Sequence, residues 1–127
     1  MKSVISLVTI WTDNIEEMKV FYNQVLGFEI INDLGDYVEF KNEGVRFAIC
    51  LRSVMYDYSK VYKIKSVGQG FELAFPCENK KELDESFETI IEKGATSIHL
   101  PENMPWNQRT ALFSDPDGNI HELFCEL

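Results

Sequence analysis

The first half of the chain opens with a strand pattern followed by a helix pattern. Residues 4–12 are rich in β-branched side chains with mixed alternation, which predicts a strand buried on both faces. Asn14 then precedes apolar residues at helical spacing, with Glu17 three positions later, as in a capping box. Gly27 ends the predicted helix, because glycine adopts the positive φ of a helix C-terminus without strain. Three shorter strands are predicted after it, at 28–31, 37–41 and 45–51.

The second half repeats this order. Residues 71–76 predict a strand, Asn79 and Glu82 a second capping box, and Gly94 a second helix stop. Three more strands are predicted, at 95–100, 110–114 and 119–125. Each half therefore has the order βαβββ, which predicts an α+β fold built by pairing two like modules. We expect one domain over 1–127, with module one at about 1–52 and module two at about 70–127.

The connection between the modules, residues 53–69, is polar and is predicted to be a long loop. It carries Tyr56, Tyr58 and Tyr62. Loops of this length are usually functional lids or linkers, and both interpretations remain open.

Composition and charge narrow the class of partner. No apolar run approaches the roughly 18 residues of a membrane span, and Met1 leads directly into a strand pattern rather than a signal peptide. The net charge of -9 argues against nucleic acid or an anionic membrane as partner and is compatible with a cationic ligand. Cys50, Cys77 and Cys125 are odd in number and lack metal-type spacing. We expect reduced thiols in a cytoplasmic protein.

The predicted strands of the second half each carry one carboxylate opposite an apolar face. Side chains two apart share a face, so Glu122 points away from Leu123 and Cys125. Glu72 likewise points away from its apolar neighbours in 71–76. The apolar faces suit packing under a helix, and the faces with the glutamates are expected to line a cavity.

Motifs in both halves occur in a fixed order. N-I-E-E-M-K-V-F-Y-N-Q-V-L-G-F stands at 14–28, and F-E-L-A-F, E-K-G-A, P-W-N-Q-R and D-P-D-G-N-I-H-E-L follow in the second half. This ordered set resembles the vicinal oxygen chelate superfamily, which includes glyoxalase I, bleomycin-resistance proteins, fosfomycin-resistance enzymes and extradiol dioxygenases. The resemblance implies two βαβββ modules whose sheets curve into an open eight-stranded barrel-like sheet around a cavity. It also implies a homodimer, and in some members the modules swap between chains.

The resemblance further implies where a metal would be held. Metal-using members place His or Glu ligands on the first and last strands of each module, and counting carries these positions to Leu7, Ala48, Glu72 and Glu122. Two carboxylates without imidazole or thiolate make a poor site for zinc, nickel or iron. We therefore expect no cofactor; the alternative is a divalent metal, nickel or zinc, held by the two glutamates. Both histidines, His99 and His121, are expected to be structural.

Several other side chains have open roles. Trp11 shares the face of Leu7, and Trp106 lies in a predicted loop, so both could offer flat walls to a planar or cationic guest. Trp11 could equally be core. One of the two glutamates could be salt-bridged, for example to Arg46. Arg109 is expected to hold the Asp115–Asn119 turn rather than reach the cavity.

These observations lead to three functional hypotheses. The first is a drug-resistance-type protein that binds a small, cationic or aromatic molecule in an acidic cavity lined by Leu7, Trp11, Ala48, Glu72, Trp106 and Glu122. The alternative is a metal-dependent glyoxalase-like lyase or isomerase, with Glu122 or Glu72 as the catalytic base. The third is a degenerate module whose cavity has filled and whose surface serves an interaction.

Overall fold

The two halves of the sequence form two units in the computed structural model, which describes residues 1–63 and 68–127. The units are Met1–Lys65 and Ser66–Leu127. Each contains a helix and a four-stranded sheet in which the first strand lies parallel to the last, and the strand order is the same in both. The predicted α+β class and the repeated βαβββ order are confirmed.

The first module forms one sheet, with strand order β1-β4-β3-β2. Its elements are β1 (Leu7–Thr12), α1 (Ile15–Val20), a π-helical turn (Phe21–Val25), β2 (Ile30–Asp33), β3 (Tyr37–Phe40) and β4 (Arg46–Leu51). Helix α1 starts where the Asn14 N–H is held by Thr12 Oγ1 at 2.9 Å. It widens at its end, because the Leu26 N–H donates to Phe21 O five residues back, and Gly27 follows with φ 83°.

Helix α1 buries its apolar stripe against one face of this sheet. Met18 and Tyr22 are fully buried. The Tyr22 ring lies 5.1 Å from Phe47 of β4 and 5.9 Å from Phe40 of β3, centroid to centroid. Aromatic pairs at such distances add to the hydrophobic burial, so this cluster fixes the helix on its sheet. The face that carries Leu7, Thr9 and Trp11 is the opposite one.

The prediction of a loop at residues 53–69 is wrong for most of the residues that the structure describes there. Helix α2 (Arg52–Tyr58) follows β4 directly, and a short 3-10 turn (Lys60–Tyr62) follows α2. The start of α2 is fixed by a contact distant in sequence, because Arg52 Nη2 donates to Trp11 O at 3.3 Å. The sequence around Arg52 does not predict this hydrogen bond, because its acceptor lies 41 residues earlier in the chain. Residues 64–67 of the predicted loop lie outside the described residues.

The second module has the strand order β5-β8-β7-β6. Its elements are β5 (Ala74–Pro76), α3 (Lys80–Glu92), β6 (Thr96–Met104), β7 (Gln108–Ser114) and β8 (Ile120–Glu126). The predicted cap of α3 is confirmed, since Asn79 Oδ1 accepts the Glu82 N–H at 3.0 Å. The Glu82 carboxylate accepts the N–H of Glu78, one residue before the cap. Gly94 ends the turn after α3 with φ 117°.

Helix α3 covers one face of the second sheet. Leu83, Phe87 and Ile90 on α3 are buried, and so are the residues of β8 that alternate with Glu122. Strand β5 is shorter than predicted and begins after Glu72. Among residues 1–63 and 68–127, no helix is long and apolar enough to cross a membrane.

Candidate functional site

Glu122 lies on the face of the second sheet that α3 leaves uncovered. Its register partners are Ala74 on β5 and Leu112 on β7. The opposite face carries Arg109, whose guanidinium reaches Asp84 on α3 at 2.7 Å, so that face is the one under the helix. Glu122 is half-buried and shares its face of β8 with Ile120 and Phe124. The predicted orientation of Glu122 is therefore confirmed.

The charge of Glu72 acts on the carboxyl group of Glu122. Burial raises the pKa of the Glu122 carboxyl, and the negative charge of Glu72 raises this pKa further. The backbone explains the proximity, because the Glu122 N–H donates to the carbonyl of Leu73 at 2.9 Å. Strand-like pairing thus extends to Leu73, the residue before β5, and brings the exposed Glu72 towards β8. A cation placed here would relieve the repulsion between the two carboxylates.

His121 positions this segment from the buried side of the sheet. The ring is fully buried between Phe75 and Phe113, whose centroids lie 6.2 Å and 5.8 Å away. Nδ1 accepts the Leu73 N–H at 3.2 Å, so in the neutral ring the proton resides on Nε2, which lies 3.4 Å from Asp115 Oδ2. His121 was expected to be a surface or partly buried structural residue, and it is instead fully buried. His121 fixes the residue next to Glu72.

A shallow depression of about 390 Å³ lies beside Glu72. It is lined by Gln69, Gly70, Phe71, Glu72 and Ile120. Phe71 is 53% exposed, so its ring is available to a molecule bound in this depression. The sequence patterns do not mark Phe71 or Gln69 as site residues: Phe71 stands in the F-E-L-A-F motif as an apolar strand residue, and Gln69 belongs to none of the quoted motifs.

The Gln69 side chain acts as an extra strand residue at the start of β8. Its Nε2 donates to the carbonyl of Ile120 and its Oε1 accepts the Ile120 N–H, both at 2.7 Å. The same Nε2 also donates to the carbonyl of Phe71 at 2.7 Å. One amide therefore holds the rim of the depression against β8.

The predicted site residues of module one lie on one face of the first sheet. Leu7 pairs with Arg46, and Thr9 pairs with Ala48, in the parallel ladder of β1 and β4. Leu7 is 39% exposed, so the prediction that this strand is buried on both faces is wrong at its start. Trp11 shares this face, and its ring meets Tyr62 edge to face at 5.0 Å.

Arg46, which shares this face, is already paired. Arg46 forms a fork with Glu39, in which Nε and Nη2 contact the two carboxylate oxygens, the latter at 3.0 Å. Hydrogen bonding to Arg46 lowers the pKa of the Glu39 carboxyl. Arg46 therefore forms its salt bridge with Glu39 of module one and not with Glu72 or Glu122, as had been suggested from the sequence.

Trp106 and Arg109 differ in their surroundings. The Trp106 ring is 60% exposed, and its Nε1–H donates to Gln108 Oε1 at 3.0 Å.

Arg109 pairs with Asp84 and donates to Asn103 Oδ1 at 3.0 Å, so the prediction that it holds the 115–119 turn is wrong. It ties α3 to the sheet instead. Asp115 holds that turn itself, accepting the N–H groups of Asp117 and Asn119 at 3.0 Å.

The side chains present do not suit the metal site of the superfamily. Leu7 and Ala48 offer no ligand atom, which leaves Glu72 and Glu122 as donors at the carried-over positions. Within residues 1–63 and 68–127 no group of three His, Cys, Asp or Glu side chains is arranged to hold a metal ion. That positions 7, 11, 48, 72, 106 and 122 share one cavity stays a prediction.

Residues 5–127 match the family described as the glyoxalase-like domain. The chain belongs to this family. Membership agrees with the motifs of both halves and places the glyoxalase-like chain in the vicinal oxygen chelate superfamily. No curated protein matches it.

Solved structures share the fold over the whole glyoxalase-like chain. A glyoxalase/bleomycin resistance protein/dioxygenase family enzyme from Burkholderia phytofirmans PsJN is 24% identical with a TM-score of 0.88, covering 98% of this chain and 100% of that one. A member of the glyoxalase/bleomycin resistance protein/dioxygenase superfamily from Sphaerobacter thermophilus DSM 20745 is 28% identical with a TM-score of 0.73, covering 99% of each chain. Lactoylglutathione lyase from Agrobacterium tumefaciens is 23% identical with a TM-score of 0.78, covering 98% and 94%.

Proposed function

We propose that this glyoxalase-like protein binds a small cationic or aromatic molecule at an acidic site centred on Glu72 and Glu122, without a conventional metal. The observation that carries the proposal is the half-buried Glu122 on the uncovered sheet face, with its pKa raised by burial and by the charge of Glu72. Partial desolvation of a carboxylate costs free energy that a cationic partner would offset, and carboxyls with perturbed pKa values are candidates for functional sites. Sequestration of a drug-like molecule would need no reaction and no metal.

The chemistry of the depression suits a cationic guest with an apolar part. The exposed Phe71 ring offers an apolar wall, and a ring face attracts cations. The carboxylate of Glu72 lines the same depression. A protonated amine that reaches both glutamates gains charge-assisted hydrogen bonds and removes their mutual repulsion. We extend the proposed contacts to Leu7, Trp11, Ala48 and Trp106.

Titration with cationic glycopeptide antibiotics tests this proposal, with binding followed by calorimetry and by thermal shift. We expect Glu122→Gln to weaken binding tenfold or more, since a hydrogen bond to a charged group contributes roughly 1.5–3 kcal/mol. Glu88→Gln on the exposed side of α3 is the matched control, because it changes net charge equally away from the depression. Equal affinities of the two variants, or no binding by any of the proteins, would refute the acidic site.

The second candidate is a metal-dependent glyoxalase-like lyase or isomerase. The raised pKa of the Glu122 carboxyl is the observation that favours it, because such a carboxylate would serve as base for a proton next to a carbonyl. Glu72 would then be left at the carried-over positions to hold nickel or zinc, a poorer set of ligands than these metals prefer. Elemental analysis of protein purified without a tag separates the candidates. Stoichiometric nickel, zinc or iron, lost in Glu122→Gln, would replace the binding-protein proposal by this one.

A further inference from the structure

Strands β5 and β8 bring two cysteines side by side. Their parallel register pairs Phe75 with Leu123 and Pro76 with Phe124. Just beyond β5, the Cys77 N–H donates to the carbonyl of Phe124 at 2.8 Å. In a parallel ladder this bond runs from a residue to the carbonyl that precedes its partner, so the partner of Cys77 is Cys125.

This placement suits a covalent bond between the two side chains. Neighbouring strands lie about 4.8 Å apart, and disulfides join residues whose Cα atoms are about 4.4–6.8 Å apart. Cys125 lies on the face under α3, and the thiol of Cys77 lies near Ser86 on that helix. Both thiols therefore face α3, and both are free.

The two thiols differ in access. Cys77 is half-buried, whereas Cys125 is 1% exposed. A reagent from solvent therefore reaches Cys77 first, and Cys125 can react with a group already attached to Cys77. Burial raises the pKa of the Cys77 thiol, and the charges of Glu82 and Cys125 raise it further, so this thiol reacts slowly at neutral pH.

We propose that Cys77 and Cys125 form a dithiol modification site, which closes to an intramolecular disulfide by exchange with a low-molecular-weight disulfide. The Cys77 thiolate attacks one sulfur of the reagent, forms a mixed disulfide and releases one thiol. The Cys125 thiolate then attacks the Cys77 sulfur and releases the second thiol. Overall, two protein thiols are oxidised to one disulfide while the reagent is reduced to two thiols. The inference stands apart from the proposed ligand.

Incubation with oxidised glutathione, followed by thiol counting and peptide mass mapping, tests the proposal. The wild-type protein should lose two of its three thiols and yield one linked peptide pair containing Cys77 and Cys125. Cys50→Ser should behave identically, since Cys50 is buried and its register partners are Trp11 and Tyr37. Cys125→Ser should stop at the mixed disulfide on Cys77, and Cys77→Ser should keep both of its remaining thiols.

The mapping of the wild-type protein does not depend on the folding of any variant. A stable glutathione adduct on wild-type Cys77, a disulfide between two chains, a linkage involving Cys50, or no reaction would each overturn the proposal.

Discussion

Replacing His121 by Phe isolates the hydrogen bonds that hold the segment next to Glu72. Phenylalanine keeps a ring between Phe75 and Phe113 but removes both nitrogens. The Leu73 N–H then loses its acceptor at 3.2 Å, and the buried Asp115 carboxylate loses a neighbour at 3.4 Å. A neutral hydrogen bond contributes about 0.5–1.5 kcal/mol and one to a charged group about 1.5–3. Because the second contact is long, we expect a loss of about 2–3 kcal/mol.

Urea unfolding, followed by far-ultraviolet circular dichroism, measures this loss. With a typical slope of about 2 kcal/mol per molar urea, the midpoint should fall by roughly 1–1.5 M. His99→Phe is the matched control, because His99 is exposed and contacts the exposed Glu102 at 2.8 Å, and such a change shifts stability by no more than about 0.5 kcal/mol. Equal midpoints for the two variants would refute the reasoning that His121 acts through its nitrogens.

Three further outcomes follow from the site. Glu122→Gln should stabilise the protein at neutral pH. The pKa of Glu122 is higher in the folded protein than in the unfolded chain. Ionisation of Glu122 therefore lowers the stability of the fold as the pH rises from the unfolded-state pKa through the folded-state pKa. The gain should vanish below about pH 4 in urea titrations at several pH values, and a gain independent of pH would contradict this. Arg46→Met should do the reverse, because the pKa of Glu39 is lowered by its bonds to Arg46. Its destabilisation should appear above the unfolded carboxyl pKa and fade as pH falls through the folded one; equal stability of variant and wild type near neutrality would count against the pairing. Gln69→Ala should speed amide hydrogen exchange at Ile120 at least tenfold, measured by NMR, while an unchanged rate would exclude the side-chain pairing.

The fold was largely predictable because its determinants are local. Asn79 caps α3 with its own side chain, and Gly27 and Gly94 stop their helices through a φ that other residues avoid. The alternation of β8 predicted the orientation of Glu122 without knowledge of any neighbour. Each of these features depends on residues only a few positions apart in the chain, and such short-range relations are visible in the sequence.

The parts that sequence analysis missed depend on distant residues. Helix α2 is anchored by a bond from Arg52 to Trp11, far back in the chain. Arg109 is drawn to Asp84 on α3 rather than to the nearby turn. Gln69 pairs with Ile120 through its side chain, which no pattern of apolar and polar positions encodes. The sequence therefore predicted Glu72 and Glu122 as site residues but did not predict Gln69 at the rim of the depression.

The amide of Gln69 also limits what kind of molecule can approach this rim. Because Gln69 occupies both the donor and the acceptor of Ile120, the exposed end of β8 has no hydrogen-bonding groups left on that side for an incoming extended peptide. Peptide chains, which recognise sheets by adding a strand, are thereby discouraged, while compact guests that use ring faces and carboxylates are unaffected. A single side-chain amide thus restricts the shape of the molecules that can bind beside the start of β8, an inner strand of the sheet.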